Sequence, residues 1–326
     1  MESMKSKLKS FFTEHWKYMA VSTACEFGVF DALTESKTAN QFAEQLGINK
    51  EKTSLLLNAL VSIGFLDKRE DSYTTNELSV FLTEKHPESL RYACMNWSGV
   101  HLTAWQNLRY TIATGKSAFE DENYLFKQPY FDYINEKPVE REFYQKAMNE
   151  YARDDYKTLP DLIDFSKHKS VMDVGGGYGA LLKHIKKKHP NVECILFEQL
   201  DVLGDICLDY EFFSQTHGNF FEDIPKGSDA IILARIIHDW NDKKALNILN
   251  NCNDALPEKG SLFIIENCTD NTSIDLSLLS LNMSVMCESF ERSSDQYISL
   301  ANQAGFEFEG DLKLNKLQTV LRFIKK

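Results

Sequence analysis

The ten residues S-V-M-D-V-G-G-G-Y-G, positions 170–179, constrain this chain more than any other segment. A short apolar run leads into Gly175, Gly176, Gly177 and Gly179, and a helical pattern follows. Glycines cluster where backbone turns sharply or must approach a ligand without a Cβ in the way. A strand, a glycine turn and a helix form the first βα unit of an open α/β sheet, whose crevice above the strand ends takes nucleotide-like cofactors.

The letters from Gly175 to Ala180 also satisfy G-x-G-x-x-A, so a dinucleotide has to be weighed. Glu198, after the second apolar run, suits a ribose in either case. Asp173 discriminates, because it lies inside the strand two residues before the first glycine. An acid there repels a pyrophosphate and suits a ligand carrying an ammonium and a sulfonium. The predicted cofactor is therefore S-adenosylmethionine, with S-adenosylhomocysteine as product and no metal.

Further apolar runs at Glu193–Phe197, Asp229–Leu233 and Ser261–Ile265 alternate with helical stretches, which predicts βαβ units and a parallel sheet. Upstream the texture is helical. Phe12, Trp16, Met19, Ala20, Thr23, Phe27 and Phe30 recur at helical spacing across 11–33. Short helices over Thr38–Leu46 and Glu51–Ile63 end at Gly47 and Gly64, and a polar turn then separates Phe65-Leu66 from Tyr73–Thr75. Two helices and a hairpin predict a winged helix. Such a module binds DNA or packs against a partner chain. Residues 1–100 hold 11 Lys or Arg against 13 Asp or Glu, and the second helix offers only Lys52, too little for phosphate. Dimerisation is the expectation. Residues 88–160 continue as aromatic-rich helices. The expected division is a dimerisation domain over 1–100, linker and pocket helices over 101–160, and a catalytic domain over 161–326.

The 326 residues carry a net charge of −12, which argues against partners such as nucleic acid or an anionic membrane surface. No apolar run reaches the roughly 18 residues of a membrane span, and the first residues, MESMKSKLKSFF, lack a secretory core. Seven scattered cysteines without a CxxC pair indicate reduced thiols and a cytoplasmic location.

In order along the chain, F-G-V-F-D-A-L, T-A-N-Q-F-A-E-Q-L-G, L-N-A-L-V-S-I-G-F-L, T-G-K-S-A-F-E, F-Y-Q-K-A-M, V-M-D-V-G-G-G-Y-G, H-G-N-F-F-E-D-I-P, I-I-H-D-W-N-D and F-E-R-S occur. This ordered set resembles the caffeic-acid, hydroxyindole and bacterial polyketide type of small-molecule O-methyltransferase. The resemblance implies a class I methyltransferase fold, a Rossmann-like sheet of seven strands with helices on both faces, behind a winged-helix dimerisation domain. It implies that Gly175, Gly177 and Gly179 line the cofactor, that Glu198 meets its ribose, and that Asn219 and Phe220 meet its adenine, with Gln199 a further cofactor contact. Asn219 stands where the family usually has Asp. Arg235 matches an arginine common in bacterial members. Asp239 is a further acid for the cofactor or a helix start.

His238 follows the run 229–233 and Glu266 follows 261–265, so parallel strands carry both to the edge that holds the glycine loop and Glu198. A histidine can take a phenol's proton near neutrality, and a carboxylate on its other nitrogen fixes the tautomer. The resemblance implies that Glu266 and Glu291 flank His238 in that role. It also implies a substrate lining from Phe143, Ala147 and Met148 and from Met283 and Met286, suited to a flat apolar acceptor. Trp240, His101 and Trp105 read as core packing. The expected activity is methylation of a phenolic or enolic hydroxyl of an aromatic secondary metabolite by a homodimer, in the manner of antibiotic biosynthesis. Relatives repurposed for pericyclic steps and those that methylate nitrogen are the alternatives.

Overall fold

The computed structural model describes residues 3–204, 212–270 and 273–326. Two compact units divide the chain, residues 1–103 and 104–326. The helices over 104–160 therefore belong to the same unit as the sheet.

The N-terminal unit contains helices Ala39–Leu46 and Lys50–Ser62 and three strands, β1 Lys37–Thr38, β2 Leu66–Arg69 and β3 Ser72–Thr75, in the order β1-β3-β2. Thr38 and Gln41 form a reciprocal capping box on the first helix, and Gly47 ends it in the left-handed region at φ +67. Asn49 caps the second helix through Lys52 N. The helical reading of 11–33 divides into Met4–Phe11, Glu14–Glu26 and Val29–Ala32. Phe30 is fully buried, whereas Phe12 and Trp16 are 60 % and 65 % exposed. His101 is buried against Trp97, its ring centroid at 4.8 Å.

The second unit is built on seven strands: β4 Ser170–Val174, β5 Glu193–Glu198, β6 Ser214–His217, β7 Ala230–Ala234, β8 Ser261–Asn267, β9 Phe306–Lys313 and β10 Gln318–Lys325. Their order is β6-β5-β4-β7-β8-β10-β9. The first five are parallel, and β10 runs antiparallel to both β8 and β9. Alternate residues of the central strands feed two cores. Met172, Ile231, Leu233, Leu262 and Ile264 face helices Asp242–Ala255 and Ser294–Gln303. Val171, Ile232, Phe263 and Ile265 face helix Ala180–Lys188. Burial on both faces explains why these strands read as continuous apolar runs. Among the described residues no helix is long and apolar enough to cross a membrane.

Candidate active site

Asp173 sits in β4, flanked in register by Leu196 of β5 and Ile232 of β7, and is 1 % exposed. Among the described residues its Oδ1 has no hydrogen-bond partner. Burial, then the nearby Glu198 charge, push its pKa up to about 7. A buried acid without a partner is expensive unless a ligand completes it. The glycine loop beside it is closely packed by the protein's own side chains. Gly175, Gly177 and Gly179 have φ of +73, +54 and +73. A Cβ on Gly177 would meet Gln145 Oε1 at 2.8 Å, and one on Gly179 would meet the Phe213 ring at 2.5 Å.

Glu198 ends β5 and knots this loop. Its Oε2 accepts from Gly177 N at 3.0 Å and its Oε1 from Gln199 N at 2.8 Å. Burial raises its pKa even though both backbone bonds oppose the shift. Each oxygen keeps a lone pair for a ribose hydroxyl. The exposed Gln199 accepts from Asn135 Nδ2 at 3.1 Å. Phe220 lies against Gly175, its Cε1 within 3.5 Å of where a Cβ would be. Asn219 folds locally: its Oδ1 accepts from Phe221 N at 3.0 Å, and its Nδ2 donates to Glu222 at 3.2 Å, leaving one amide hydrogen. Arg235, at φ +55, sets Nη2 3.8 Å from Met148 Sδ and Nη1 3.9 Å from Asp155, while its Nε is unpartnered. These residues fit S-adenosylmethionine: an acid without a counter-ion, a turn of glycines, a second acid with lone pairs to spare and an aromatic ring.

The second half of the site lies beyond β7 and β8. His238 occupies a 3-10 turn, Ile237–Asp239, and is 3 % exposed. Its Nδ1 shares a 2.9 Å hydrogen bond with Glu291 Oε1. Glu266 Oε2 is 3.8 Å from the same nitrogen, and Asp239 Oδ1 is 3.7 Å from Nε2. Burial alone would lower the ring's pKa, but Glu291, then Glu266 and Asp239, raise it to about 10. Burial opposes ionisation of Glu291, yet the His238 charge and bonds from His238 and Asn267 hold it below the usual carboxylate range. The two therefore form an ion pair. Burial lifts Glu266 to about 7 and Asp239 to about 6 against the pull of His238.

The two flanking acids do different work. Glu291 holds the ring. Glu266 lies inside β8, paired with Thr319 of β10, and its Oε1 accepts from Ile236 N, Ile237 N and His238 N at 3.0, 2.7 and 3.3 Å. It is mainly the anchor of the turn. Sequence reasoning did not find the rest of the clamp. Arg292, 1 % exposed, donates to Ile237 O, Trp240 O and Asp242. Ser289 Oγ donates to His238 O at 2.5 Å, and Asn267 Nδ2 donates to Glu291 Oε1 at 3.1 Å. Adjacency to Glu291 in F-E-R-S was the available signal for Arg292. The ligand atoms of His238, Glu266 and Glu291 lie within 4.8 Å of one another, a spacing a metal ion can also use.

A cavity of about 290 Å3 adjoins Asp239. Tyr130, Phe131, Phe221 and Trp240 form its aromatic walls. Trp240 is thus a wall as well as a packing residue. Phe143, Ala147, Met148, Met283 and Met286 do not line it. Ala147, Met283 and Met286 are buried and Phe143 is half-buried. The helix Ile274–Cys287 that carries the two methionines packs against the His238 turn. Trp105 Nε1 donates to Asn282 of that helix at 2.7 Å.

Known proteins resemble this chain over nearly its whole length. Residues 105–307 match the model of the O-methyltransferase domain, and residues 10–85 match that of the O-methyltransferase dimerisation domain. A phenazine O-methyltransferase of Lysobacter antibioticus is 28 % identical over 322 residues, covering 94 % of this chain and 92 % of that protein. The acetylserotonin O-methyltransferase of Bos taurus is 29 % identical, covering 92 % of each. The crystal structure of human N-acetylserotonin methyltransferase with S-adenosylmethionine superposes with a TM-score of 0.91 at 26 % identity, over 99 % of this chain and 98 % of that one. With two buried acids and a glycine turn at one sheet edge, and with the family models matching residues 10–85 and 105–307, the chain belongs to the S-adenosylmethionine-dependent O-methyltransferases.

Proposed function

We propose that this enzyme methylates a phenolic or enolic hydroxyl of an aromatic secondary metabolite, with His238 as the group that takes the hydroxyl proton. The observation that carries this reading is the polarity of the imidazole. Nδ1 is committed to Glu291 at 2.9 Å, while among the described residues Nε2 has only Asp239, at 3.7 Å; Asp239, and not His238 itself, lines the aromatic cavity. Phe143, Ala147, Met148, Met283 and Met286 shape the apolar surroundings of the acceptor, supported by the Met148–Arg235 contact and by the packing of helix Ile274–Cys287 on the His238 turn.

Asp173 holds the cofactor's ammonium, Glu198 with Gln199 its ribose, and Phe220 with Asn219 its adenine. Arg235 and Asp239 bound the site on the strand β7 side. When bound, the cofactor supplies a methyl group on a sulfonium, open to in-line attack by an oxyanion. The protein's part is alignment, exclusion of water and custody of one proton. With a pKa of about 10, His238 is an imidazolium at neutral pH in the absence of ligands. In that state it pairs with a phenolate. His238 loses basicity when a positive charge is placed nearby, and the methyl donor is a cation, which brings the ring toward the range of a working base. Glu291 steadies the ring in either state. The dimerisation domain supports a homodimer as the working form.

The test is incubation with methyl-labelled S-adenosylmethionine and a panel of hydroxylated aromatics, followed by location of the label. Label on oxygen is the expected result. Label on nitrogen alone, or binding of the cofactor with no transfer to any hydroxyl, would overturn the reading.

A further inference from the structure

The cavity beside Asp239 has a charge pattern that the methyl-transfer chemistry does not need. Three carboxylates besides Asp239 line it, Glu120, Asp132 and Glu288, against one cation, Lys244. Lys244 is already engaged: its Nζ lies 5.0 Å from the Trp240 ring centroid and 6.0 Å from that of Phe221. Glu120 is half-buried, and burial followed by the nearby Glu288 charge raises its pKa, with Lys244 and Lys116 opposing. Glu288 ends its helix in the left-handed region at φ +51, unfavourable for a residue other than glycine. Its Oε1 accepts from Ser117 N at 3.4 Å. The walls between these acids are aromatic. Phe131 and Trp240 have ring centroids 5.2 Å apart, as have Tyr130 and Phe131.

Ring faces and carboxylates around one cavity recognise a positively charged organic group. A carboxylate-bearing acceptor meets net repulsion there, since among the described residues four acids face one ammonium. Resting on the function proposed above, we propose that the cavity takes a cationic arm of the acceptor, so that the substrate is a flat hydroxylated aromatic carrying a protonated amine. A cavity of about 290 Å3 takes a short arm or a single ring, not an extended chain. The arm lies between Glu120 and Glu288, and the hydroxyl lies toward Asp239 and His238.

The experiment uses the full-length enzyme saturated with S-adenosylhomocysteine. Its probes are tyramine and 3-(4-hydroxyphenyl)propionate, which share the phenol and a two-carbon arm and differ in terminal charge. Calorimetry is expected to show tyramine binding roughly tenfold or more tighter, of the order expected from a partly shielded charge pair. The double variant Glu120→Gln/Glu288→Gln is expected to reduce the preference below roughly threefold with product affinity unchanged. Raising salt on the unmodified enzyme from about 50 to about 500 mM narrows the preference in the same direction and needs no variant. Equal affinities, a tighter acid or no binding of either probe overturns the proposal. A tyramine preference without methyl transfer to any hydroxylated aromatic upholds the cavity assignment and sinks the O-methylation reading instead.

Discussion

The two halves of the site lie along one sheet edge and treat buried charge in opposite ways. At β4 and β5, Asp173 and Glu198 are carboxylates with backbone donors or nothing at all, and among the described residues Asp173 Oδ1 has no partner. At β7 and β8, the acids Glu266, Glu291 and Asp239 surround His238, and Arg292 fastens the turn that carries it. The first half is incomplete in charge, since no cation among the described residues acts on either acid. The second holds its own counter-charge in His238, although Glu266 Oε2 and Glu291 Oε2 also lack hydrogen-bond partners among the described residues. The two halves therefore differ in how their charge is balanced, not in whether every polar atom is satisfied.

The largest expected effect falls on the self-contained half. His238→Ala should lower turnover by roughly a thousandfold, the upper range for loss of a positioned acid–base group, while S-adenosylhomocysteine binds as before. Turnover within tenfold of the parent would remove His238 from the chemistry. Next comes the incomplete half. Asp173→Asn should weaken cofactor binding roughly 30-fold, the order of one charge-assisted hydrogen bond, as read by calorimetry. The same variant should melt roughly 3 °C higher without cofactor at pH 8. The sign follows from the direction of the shift. The folded pKa, about 7, lies above the unfolded value near 3.8, so ionised Asp173 detracts from stability as pH rises from about 4 through 7. An unchanged melting point with weakened binding would mean that Asp173 is not strained in the free enzyme.

Glu291→Gln should lower kcat roughly tenfold and move the rising limb of kcat/KM by roughly one unit to lower pH, because Glu291 is the strongest influence raising His238. In the parent, the His238 pair contributes stability that is complete below about pH 6.5 and fades as pH rises through about 10. In the variant that stability should fade roughly one pH unit lower, because Glu266 and Asp239 still raise His238. A limb that stays in place would assign it to another group. The smallest effect is expected at Asn219. Its amide is turned to Phe221 and Glu222, so Asn219→Asp should change cofactor affinity by no more than roughly threefold.

The sequence exposes these two halves unequally. Asp173, the glycines and Glu198 are legible because a strand, a tight turn and the next strand end lie within 30 residues and local pattern positions them. His238 and Glu266 are legible as strand-end residues, although β8 runs on to Asn267 and encloses Glu266. Glu291, Ser289, Asn267 and Arg292 acquire their roles only when a loop after helix Ile274–Cys287 closes on the His238 turn, and no periodicity reports such a closure. The same limit applies upstream. Phe12 and Trp16 share the helical period of Phe30, but period alone does not say which apolar face is covered within the chain and which is left exposed. Strand β9 escaped the local reading because charged and apolar residues alternate there instead of forming a continuous run.

The three backbone bonds that Glu266 accepts carry a consequence for how such an enzyme can change trade. They fasten the main chain at Ile236, Ile237 and His238 without using the imidazole. Scaffold and reagent are thereby separable at this position. A lineage can replace His238 and keep a well-formed, ligand-ready enclosure, so loss of the old chemistry need not be loss of the fold, and new reactions can be tried on an intact frame.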